Sequence, residues 1–228
     1  MWLLYYHTIC PFSRKMRITL DEIKIDYTLI EEDFWNRRAN FLALDPRGET
    51  PLVIIEEEDV ILSGNFSSFE YIFEQYREKQ EVMPLDLKSR LVIGKIVEWF
   101  DLKFYREVTK YLIDERVFKQ LIFSKTIKKP PNSSAIRAAK TNLKYHIEYI
   151  DFLLKDHTYL KSDKFTIADI ACASQISLLD FIGEMNWDNS SKLKEWYSIV
   201  KSRKSVQCVL KDAMSGVHPP EHYMIPDF

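Results

Sequence analysis

The sequence predicts an α/β domain with the element order βαβαββα, followed by an all-helical domain. Short apolar runs alternate with helical patterns in the first third of the chain, and every later apolar pattern repeats at helical spacing. Between these regions, from Arg77 to Pro84, charge rises and periodicity is lost. We therefore predict an α/β domain at residues 1–78, a linker at 79–87, a helical domain at 88–212 and a proline-containing tail at 213–228.

The predicted strands are short apolar runs bounded by turn or charged residues. The first is Trp2-Leu3-Leu4-Tyr5-Tyr6 and the second covers residues 27–30. A helix lies between them, which makes the pair parallel. Residues 52–55 and 60–62 flank four acidic residues, so they predict a hairpin that adds an antiparallel edge.

The predicted helices show apolar residues at spacings of three and four. In the first domain, Pro11 opens one helix, Trp35–Leu44 is a short second helix, and the apolar positions from Phe66 to Tyr76 mark a third. In the second domain, a long helix runs from Lys88 to about Glu115, and an amphipathic helix contains Leu143 and Leu154. Thr166-Ile167-Ala168-Asp169 is a capping box that starts another helix, and residues 193–200 mark the last one.

Composition excludes several functional classes. The net charge of -2 provides no positive field for nucleic acid or anionic lipid, and the five glycines lie too far apart for a phosphate-binding loop. Three dispersed cysteines do not suggest a disulfide framework, and basic residues follow the first apolar run rather than preceding it. We expect a cytoplasmic protein that neither binds nucleic acid nor inserts into a membrane, since no run approaches about 20 apolar residues.

Three motifs in the correct order resemble those of the glutathione transferases. They are the segment from Cys10-Pro11-Phe12-Ser13 to Arg17 after a first strand, Thr50-Pro51-Leu52-Val53, and Phe165 to Ile170, and the match covers roughly residues 1–205. The resemblance implies a thioredoxin-like domain followed by the helical transferase domain, a cis-proline at Pro51 and a homodimer. It also implies glutathione as the substrate class.

The resemblance places Cys10 at the start of the first helix, where backbone N–H groups favour an anion. A cysteine in such a position can have its pKa lowered to roughly 3.5–7.5, and the thiolate could form a mixed disulfide with glutathione. Ser13 stands where a dithiol enzyme carries its second cysteine, which excludes CxxC redox cycling. Three alternatives remain open: catalysis by Cys10, a hydroxyl from Ser13 or Tyr6 that stabilises bound thiolate, and a helix cap without chemistry.

Thr50, Pro51, Gly64 and Asn65 form the glutathione-like pocket that the resemblance implies. In the family, an acidic residue followed by serine holds the γ-glutamyl end of glutathione, and these two positions fall on Gly64 and Asn65. Glycine supplies no carboxylate, whereas asparagine can still cap the helix. Losing charge-assisted bonds of about 1.5–3 kcal/mol each would weaken affinity about ten-fold or more per contact, so we expect weak glutathione binding or none.

The tail from Gly216 to Tyr223, which closes at Pro226-Asp227-Phe228, resembles a narrower subgroup. These are transferase-fold proteins of bacterial cell division, regarded as non-enzymatic, which bind, bundle and curve FtsZ filaments and promote constriction. The resemblance implies partner-binding roles for Trp35, Asp227 and Phe228 and a place at the division site. For the tail, the open alternative is that it packs on its own domain. For the whole protein, the open alternative is a glutathione-dependent transferase or thiol reductase that uses Cys10 or Ser13. No metal site is expected, because Pro219 and Pro220 prevent a helix that would align His218 with His222.

Overall fold

A mixed four-stranded sheet forms the first part of the chain in the computed structural model, which describes residues 1–78, 80–124 and 130–226. The strands are β1 (Trp2–Tyr6), β2 (Tyr27–Glu31), β3 (Leu52–Ile55) and β4 (Val60–Ser63), in the spatial order β2-β1-β3-β4. β1 runs parallel to β2 and antiparallel to β3, which pairs antiparallel with β4. The predicted parallel pair and antiparallel hairpin are confirmed.

The helices of this part are α1 (Pro11–Glu22), α2 (Ala39–Leu44) and α3 (Asn65–Gln75). The prediction of one helix over Trp35–Leu44 is wrong. Trp35 lies in a separate 3₁₀ turn, Phe34–Asn36, and Arg37 then adopts a left-handed conformation with φ 47°. Because a helix cannot pass through a left-handed residue, the turn ends there and α2 begins only at Ala39.

A long helix over residues 87–122 opens the helical part. Its segments are α4 (Leu87–Glu98), a π-helical stretch (Trp99–Thr109), α5 (Lys110–Ile113) and a second π-helical stretch (Asp114–Ile122). The helix passes the predicted end near Glu115, because its apolar face continues: Val117 is buried and Phe118 packs against Trp35.

The remaining helices are α6 (Ser133–Leu153), α7 (Ile167–Phe181), α8 (Ser191–Lys201) and α9 (Lys204–Leu210). α7 is the centre of the helical part, since all its residues are buried. The predicted capping box is confirmed: Thr166 accepts from the Ala168 N–H and Asp169 accepts from the Thr166 N–H. No helix within the described ranges combines the length and apolarity needed to cross a bilayer.

Three buried basic residues on α1 join the two parts of the chain. Arg14, Lys15 and Arg17 are 0%, 1% and 4% exposed, and α1 packs against α7 and α9. Arg14 donates to Tyr223 Oη at 2.8 Å and Lys15 donates to Asp101 Oδ2 at 2.5 Å. Arg17 donates to Asp212 Oδ2 at 2.6 Å. Each buried cation is therefore hydrogen-bonded to a group beyond the sheet.

The described part of the tail packs on its own helices. Residues Glu221–Met224 form a 3₁₀ turn, a short helical element that the prolines were expected to exclude. Pro220 stands just before this turn rather than inside it, so no helical hydrogen bond is lost. Tyr223 is buried against Phe181, at 5.4 Å between ring centroids, and Lys201 Nζ donates to the His222 carbonyl at 2.7 Å.

Candidate functional site

A cavity of about 620 Å³ lies between the sheet and the long helix. Its walls are mainly apolar and aromatic, as is usual for small-molecule sites. The residues that define it are Cys10, Phe12, Trp35 and Thr50 from the sheet part, and Tyr105 and Phe118 from the long helix.

Cys10 and Thr50 meet on one side of this cavity. Cys10 is the N-cap of α1, and its Sγ accepts from the Ser13 N–H at 3.4 Å. The thiol donates to the Thr50 carbonyl at 3.1 Å, and the Thr50–Pro51 peptide is cis, as the resemblance implies. The sequence thus correctly placed Cys10 at the helix start. The Thr50 carbonyl, in the pocket that the resemblance implies, therefore accepts a bond from the protein's own thiol.

The hydroxyl groups of Ser13 and Tyr6 do not reach the cavity. Ser13 is fully buried behind Cys10, and its Oγ accepts from the His7 backbone N–H at 3.3 Å. Tyr6 lies beneath the Arg17 guanidinium, 4.9 Å from the ring centroid, and burial raises the pKa of its hydroxyl. Neither residue is among the described residues that line the cavity.

Gly64 and Asn65 also differ from the expected pocket. Gly64, with φ 81°, is the N-cap of α3. Asn65 is the first residue of the helix and does not cap it: its Oδ1 accepts no hydrogen bond within the described residues, and its Nδ2 donates to Asp101 Oδ2 at 2.6 Å, on the oxygen that Lys15 also contacts. Neither residue lines the cavity within the described part of the chain.

A guanidinium lies over the glycine at the expected acidic position. A Cβ at Gly64 would collide with Arg47, whose Nε donates to Asp45 Oδ2 at 2.9 Å. Where a γ-glutamyl ammonium group would need a carboxylate, the chain places a cation. Within the described residues, neither Gly64 nor Asn65 supplies a carboxylate there, and the Arg47 guanidinium is itself paired with Asp45.

An aromatic cluster, which we call the aromatic wall, closes one side of the cavity. It consists of Phe34, Trp35, Phe118 and Phe123. The Trp35 and Phe118 ring centroids are 5.5 Å apart, so the wall joins the turn after β2 to the end of the long helix. Sequence reasoning found only Trp35, because the predicted helix ended before Phe118.

Charged side chains surround the cavity on the long helix. Lys110 bonds to Asp114 at 2.7 Å, and Lys119 bonds to Glu115 at 2.6 Å. Burial raises the pKa of Glu115, but the bonds from Lys119 and the Asn132 N–H outweigh it and keep that pKa below its ordinary value. Burial raises the pKa of Tyr105 to about 12, so its hydroxyl stays protonated at neutral pH. Among the described residues that line the cavity, the charged side chains other than Glu49 are thus paired with one another.

The tail presents its apolar residues away from this cavity. Met224 and Ile225 are 62% and 49% exposed, whereas His222 Nε2 is 2.9 Å from Asp180 Oδ1. Asp227 and Phe228, which we predicted as partner-binding residues, lie outside the described residues. Within the ranges that the structure describes, no group of three or more potential ligands is arranged to hold a metal ion.

Known proteins match both parts of the chain. The glutathione S-transferase N-terminal domain model matches residues 9–64 and the C-terminal domain model matches residues 115–212. The crystal structure of a glutathione S-transferase from Rhodospirillum rubrum F11 is 36% identical, has a TM-score of 0.93 and covers 100% of both chains. The chain belongs to the glutathione S-transferase family.

The chain is also similar over its whole length to a relative that is not named as a transferase. FtsZ-localized protein A of Caulobacter vibrioides is 27% identical over 227 residues, which cover 99% of this chain and 97% of the relative. The structure of FzlA from C. crescentus has a TM-score of 0.92 at 26% identity and covers 100% of this chain and 99% of its own. These similarities extend through the described tail, beyond the matched transferase domains.

Proposed function

We propose that this protein is a non-catalytic transferase-fold protein that binds FtsZ filaments at the bacterial division site, bundles and curves them, and promotes constriction. The observation that carries the proposal is the similarity to FtsZ-localized protein A over 99% of the chain. That length includes the tail, which the matched transferase domain models do not reach.

The altered pocket supports a binding role rather than catalysis. Gly64 supplies no carboxylate, Asn65 is held by Asp101, and the Arg47 guanidinium covers the glycine. An ammonium group brought to this position meets a positive charge instead of a negative one. Glutathione therefore binds weakly or not at all, and the protein needs no cofactor.

Two surfaces are available to a macromolecular partner. Trp35 is half-buried in the aromatic wall, and aromatic residues of this kind are common anchors in protein interfaces. The tail is fixed through Tyr223 and leaves Met224 and Ile225 exposed. Because Tyr223 anchors the tail beside these exposed residues, a partner that binds Met224 and Ile225 loses less entropy than on binding a free peptide.

A homodimer would present both surfaces twice. Phe66, Leu87 and Leu91, at the starts of α3 and α4, are 83%, 81% and 59% exposed. Apolar side chains so exposed favour burial against a second copy. Two filament sites on one symmetric particle suffice to join filaments, because the second contact forms at a raised effective concentration.

Co-sedimentation with polymerised FtsZ tests the proposal. The wild-type protein is expected in the pellet with filaments and in the supernatant without them, and electron microscopy is expected to show bundles. Trp35→Ala and Asp227→Ala should each reduce the pelleted fraction. Phe152→Ala, which removes an exposed aromatic of α6, is the matched control and should pellet like wild type. Equal amounts in the supernatant with and without filaments would contradict the proposal.

A glutathione-dependent enzyme is the second candidate, favoured by one observation. The Cys10 thiol sits at a helix N-cap beside a cavity of about 620 Å³. The test combines glutathione calorimetry with turnover of a generic electrophile and of a glutathione mixed disulfide. Turnover that is lost in Cys10→Ala would establish this candidate. No heat at millimolar glutathione together with no turnover would remove it.

A further inference from the structure

His7 lies directly after β1 and organises the loop that leads to Cys10. The imidazole is buried, and its Nδ1 accepts from the Ile9 N–H at 3.2 Å. The His7 carbonyl accepts from the Cys10 N–H at 3.0 Å, and the His7 N–H donates to Ser13 Oγ at 3.3 Å. One residue thus holds both the loop and the first turn of α1.

The other side of the same imidazole supports the aromatic wall. Its ring meets Trp35 edge to face, with 4.7 Å between centroids, and Phe34 at 6.1 Å. Its Nε2 is 3.4 Å from Asp33 Oδ1 and 3.9 Å from Glu31 Oε1. His7 is therefore in contact with both the Cys10 loop and the segment that carries Trp35.

The hydrogen bonds define which form of the imidazole fits. Because Nδ1 accepts an N–H, it carries no proton, and the ring proton lies on Nε2 and points toward Asp33. A doubly protonated ring has no acceptor and cannot keep the bond from Ile9. The neutral ring alone satisfies both contacts.

Burial and the surrounding carboxylates have opposite effects on the pKa of His7. Burial lowers the pKa of His7, whereas Glu31 and Asp33 beside β2 and Asp212 after α9 raise it, and burial outweighs them. The facing group from α1 is the uncharged Ser13 hydroxyl. Once the bond from Ile9 is broken, Asp33 and Glu31 can stabilise the protonated ring, whereas Asp212 is already paired with Arg17.

We infer that His7 is a positioning residue whose neutral imidazole holds Trp35 against the Cys10 loop, and whose protonation breaks the bond from Ile9, draws the ring toward Asp33 and Glu31 and so moves Trp35 from its neutral-pH position. This side of the cavity then rearranges as the pH falls. The consequence for filament binding, a loss of Trp35-dependent contact in acid, rests on the proposed function.

Fluorine NMR on the full chain labelled with 5-fluorotryptophan tests the inference, with Trp35 assigned by Trp35→Phe. Between about pH 8 and about pH 5 the Trp35 resonance should move with the midpoint of the His7 imidazole. In His7→Asn the side-chain amide oxygen can accept from the Ile9 N–H, as the imidazole does. The Trp35 resonance should therefore keep its neutral-pH position over the whole pH range. In His7→Leu no acceptor remains, so the resonance should be displaced at every pH.

His157→Asn is the matched control, because His157 pairs with Asp163 outside the cavity and its loss should leave the Trp35 titration unchanged. A Trp35 resonance that does not titrate, or that titrates equally in His7→Asn, would overturn the inference. Co-sedimentation with FtsZ at about pH 8 and about pH 5 distinguishes the inference about His7 from the proposed function. Wild type should lose binding several-fold relative to His7→Asn in acid, whereas absence of pelleting at every pH rejects the proposed function and leaves the NMR result decisive.

Discussion

Lys15, Asp101 and Asn65 show how individual residues connect the two parts of the chain. Burial lowers the pKa of Lys15, although its bond to Asp101 opposes that effect. Asp101 Oδ2 accepts from both Lys15 Nζ and Asn65 Nδ2, at 2.5 and 2.6 Å. The Lys15 ammonium also lies 4.1 Å from the centroid of the Phe69 ring. A buried ion pair of this kind is costly to break on one side only.

Asp101→Leu should destabilise the protein by about 3 to 5 kcal/mol, because it leaves the Lys15 charge buried without its partner. The double variant Lys15→Met/Asp101→Leu should recover most of this loss, since neither charge remains. Urea unfolding measures both. Lys110→Met, which removes an exposed pair with Asp114, is the control and should cost about 0.5 kcal/mol or less. A double variant as unstable as the single one would contradict this account.

Tyr223→Phe should lower the free energy of unfolding by about 1 to 2 kcal/mol. Its hydroxyl accepts from Arg14 Nη1 at 2.8 Å, and both residues are buried. The phenylalanine ring keeps the packing on Phe181, but the Arg14 guanidinium loses one hydrogen-bond acceptor. Tyr145→Phe removes a hydroxyl from an exposed tyrosine and should change stability by less than about 0.5 kcal/mol. Equal stability of Tyr223→Phe and wild type would show that the hydroxyl does not anchor the tail.

The tail is the element that ordinary secondary-structure rules describe least well. Pro219 and Pro220 prevent a helix through this segment, and the tail instead docks by a few specific contacts. Lys201 Nζ donates to the His222 carbonyl at 2.7 Å, and the Tyr223 ring packs on Phe181. These contacts precede the exposed residues Met224 and Ile225, so anchoring and presentation are separate along the sequence.

Two truncations test this separation. Removal of residues 225–228 should leave the Tm nearly unchanged but reduce co-sedimentation with FtsZ, because no buried residue of the described tail is lost. Removal of residues 213–228 also deletes the buried Tyr223. It should lower the Tm by about 5 to 10 °C, from a loss of about 3 kcal/mol. The same Tm for both truncations would reject the division into anchor and presented end.

For the whole molecule, buried histidines set the response of stability to acid. Trp99 Nε1 donates to His146 Nδ1 at 2.9 Å, and His146 Nε2 is 3.1 Å from Glu107 Oε2. Burial lowers the pKa of His146 from 6.5, and the Glu107 carboxylate opposes that effect only in part. A histidine whose pKa is lower in the folded state stabilises the fold above its unfolded pKa, and this contribution is lost as the pH falls through that value.

The free energy of unfolding should therefore decrease as the pH is lowered from about 7.5 to about 5.5, before most carboxylates titrate. His7 contributes with the same sign, since burial also lowers its pKa. His146→Gln should make the slope smaller, whereas His157→Gln, at the surface, should not. Chemical unfolding at several pH values measures the slope. A stability that rises on acidification over this range would contradict the assignment of neutral buried rings.

Assembly of the molecule can be tested at the exposed apolar residues of α3 and α4. Leu87→Glu should convert the proposed dimer to a monomer, because the charge would be buried against a second copy. Light scattering after size-exclusion chromatography measures the mass. Phe152→Glu places the same charge on α6 and should leave the dimer intact if the interface is formed by the starts of α3 and α4. A wild-type protein that is monomeric at high concentration would reject this interface.

Local rules were enough for the features that depend on neighbours in the sequence. Short apolar runs placed all four strands of the sheet, and the capping box at Thr166 was correct because its bonds join residues at most three positions apart. These signals are local because hydrogen bonds within a helix or a turn connect neighbouring residues. The resemblance to the transferases placed Cys10 correctly at the start of α1 and implied the cis peptide before Pro51, whereas the bond from Cys10 to Thr50 joins residues 40 positions apart.

Tertiary structure alone decided the features that join distant residues. Asn65 was expected to cap α3, but Gly64 holds the cap position and the Asn65 amide nitrogen donates to Asp101, 36 residues away. Arg14 donates to Tyr223 across 209 residues, and Phe118 contacts Trp35 because the long helix extends past its predicted end. Patterns along the chain predicted the strands and most of the helices, but not the break at Arg37 or the end of the long helix. Packing decided which polar groups point into the cavity, because a buried charge or amide takes the partner that removes its desolvation cost, wherever that partner lies along the chain.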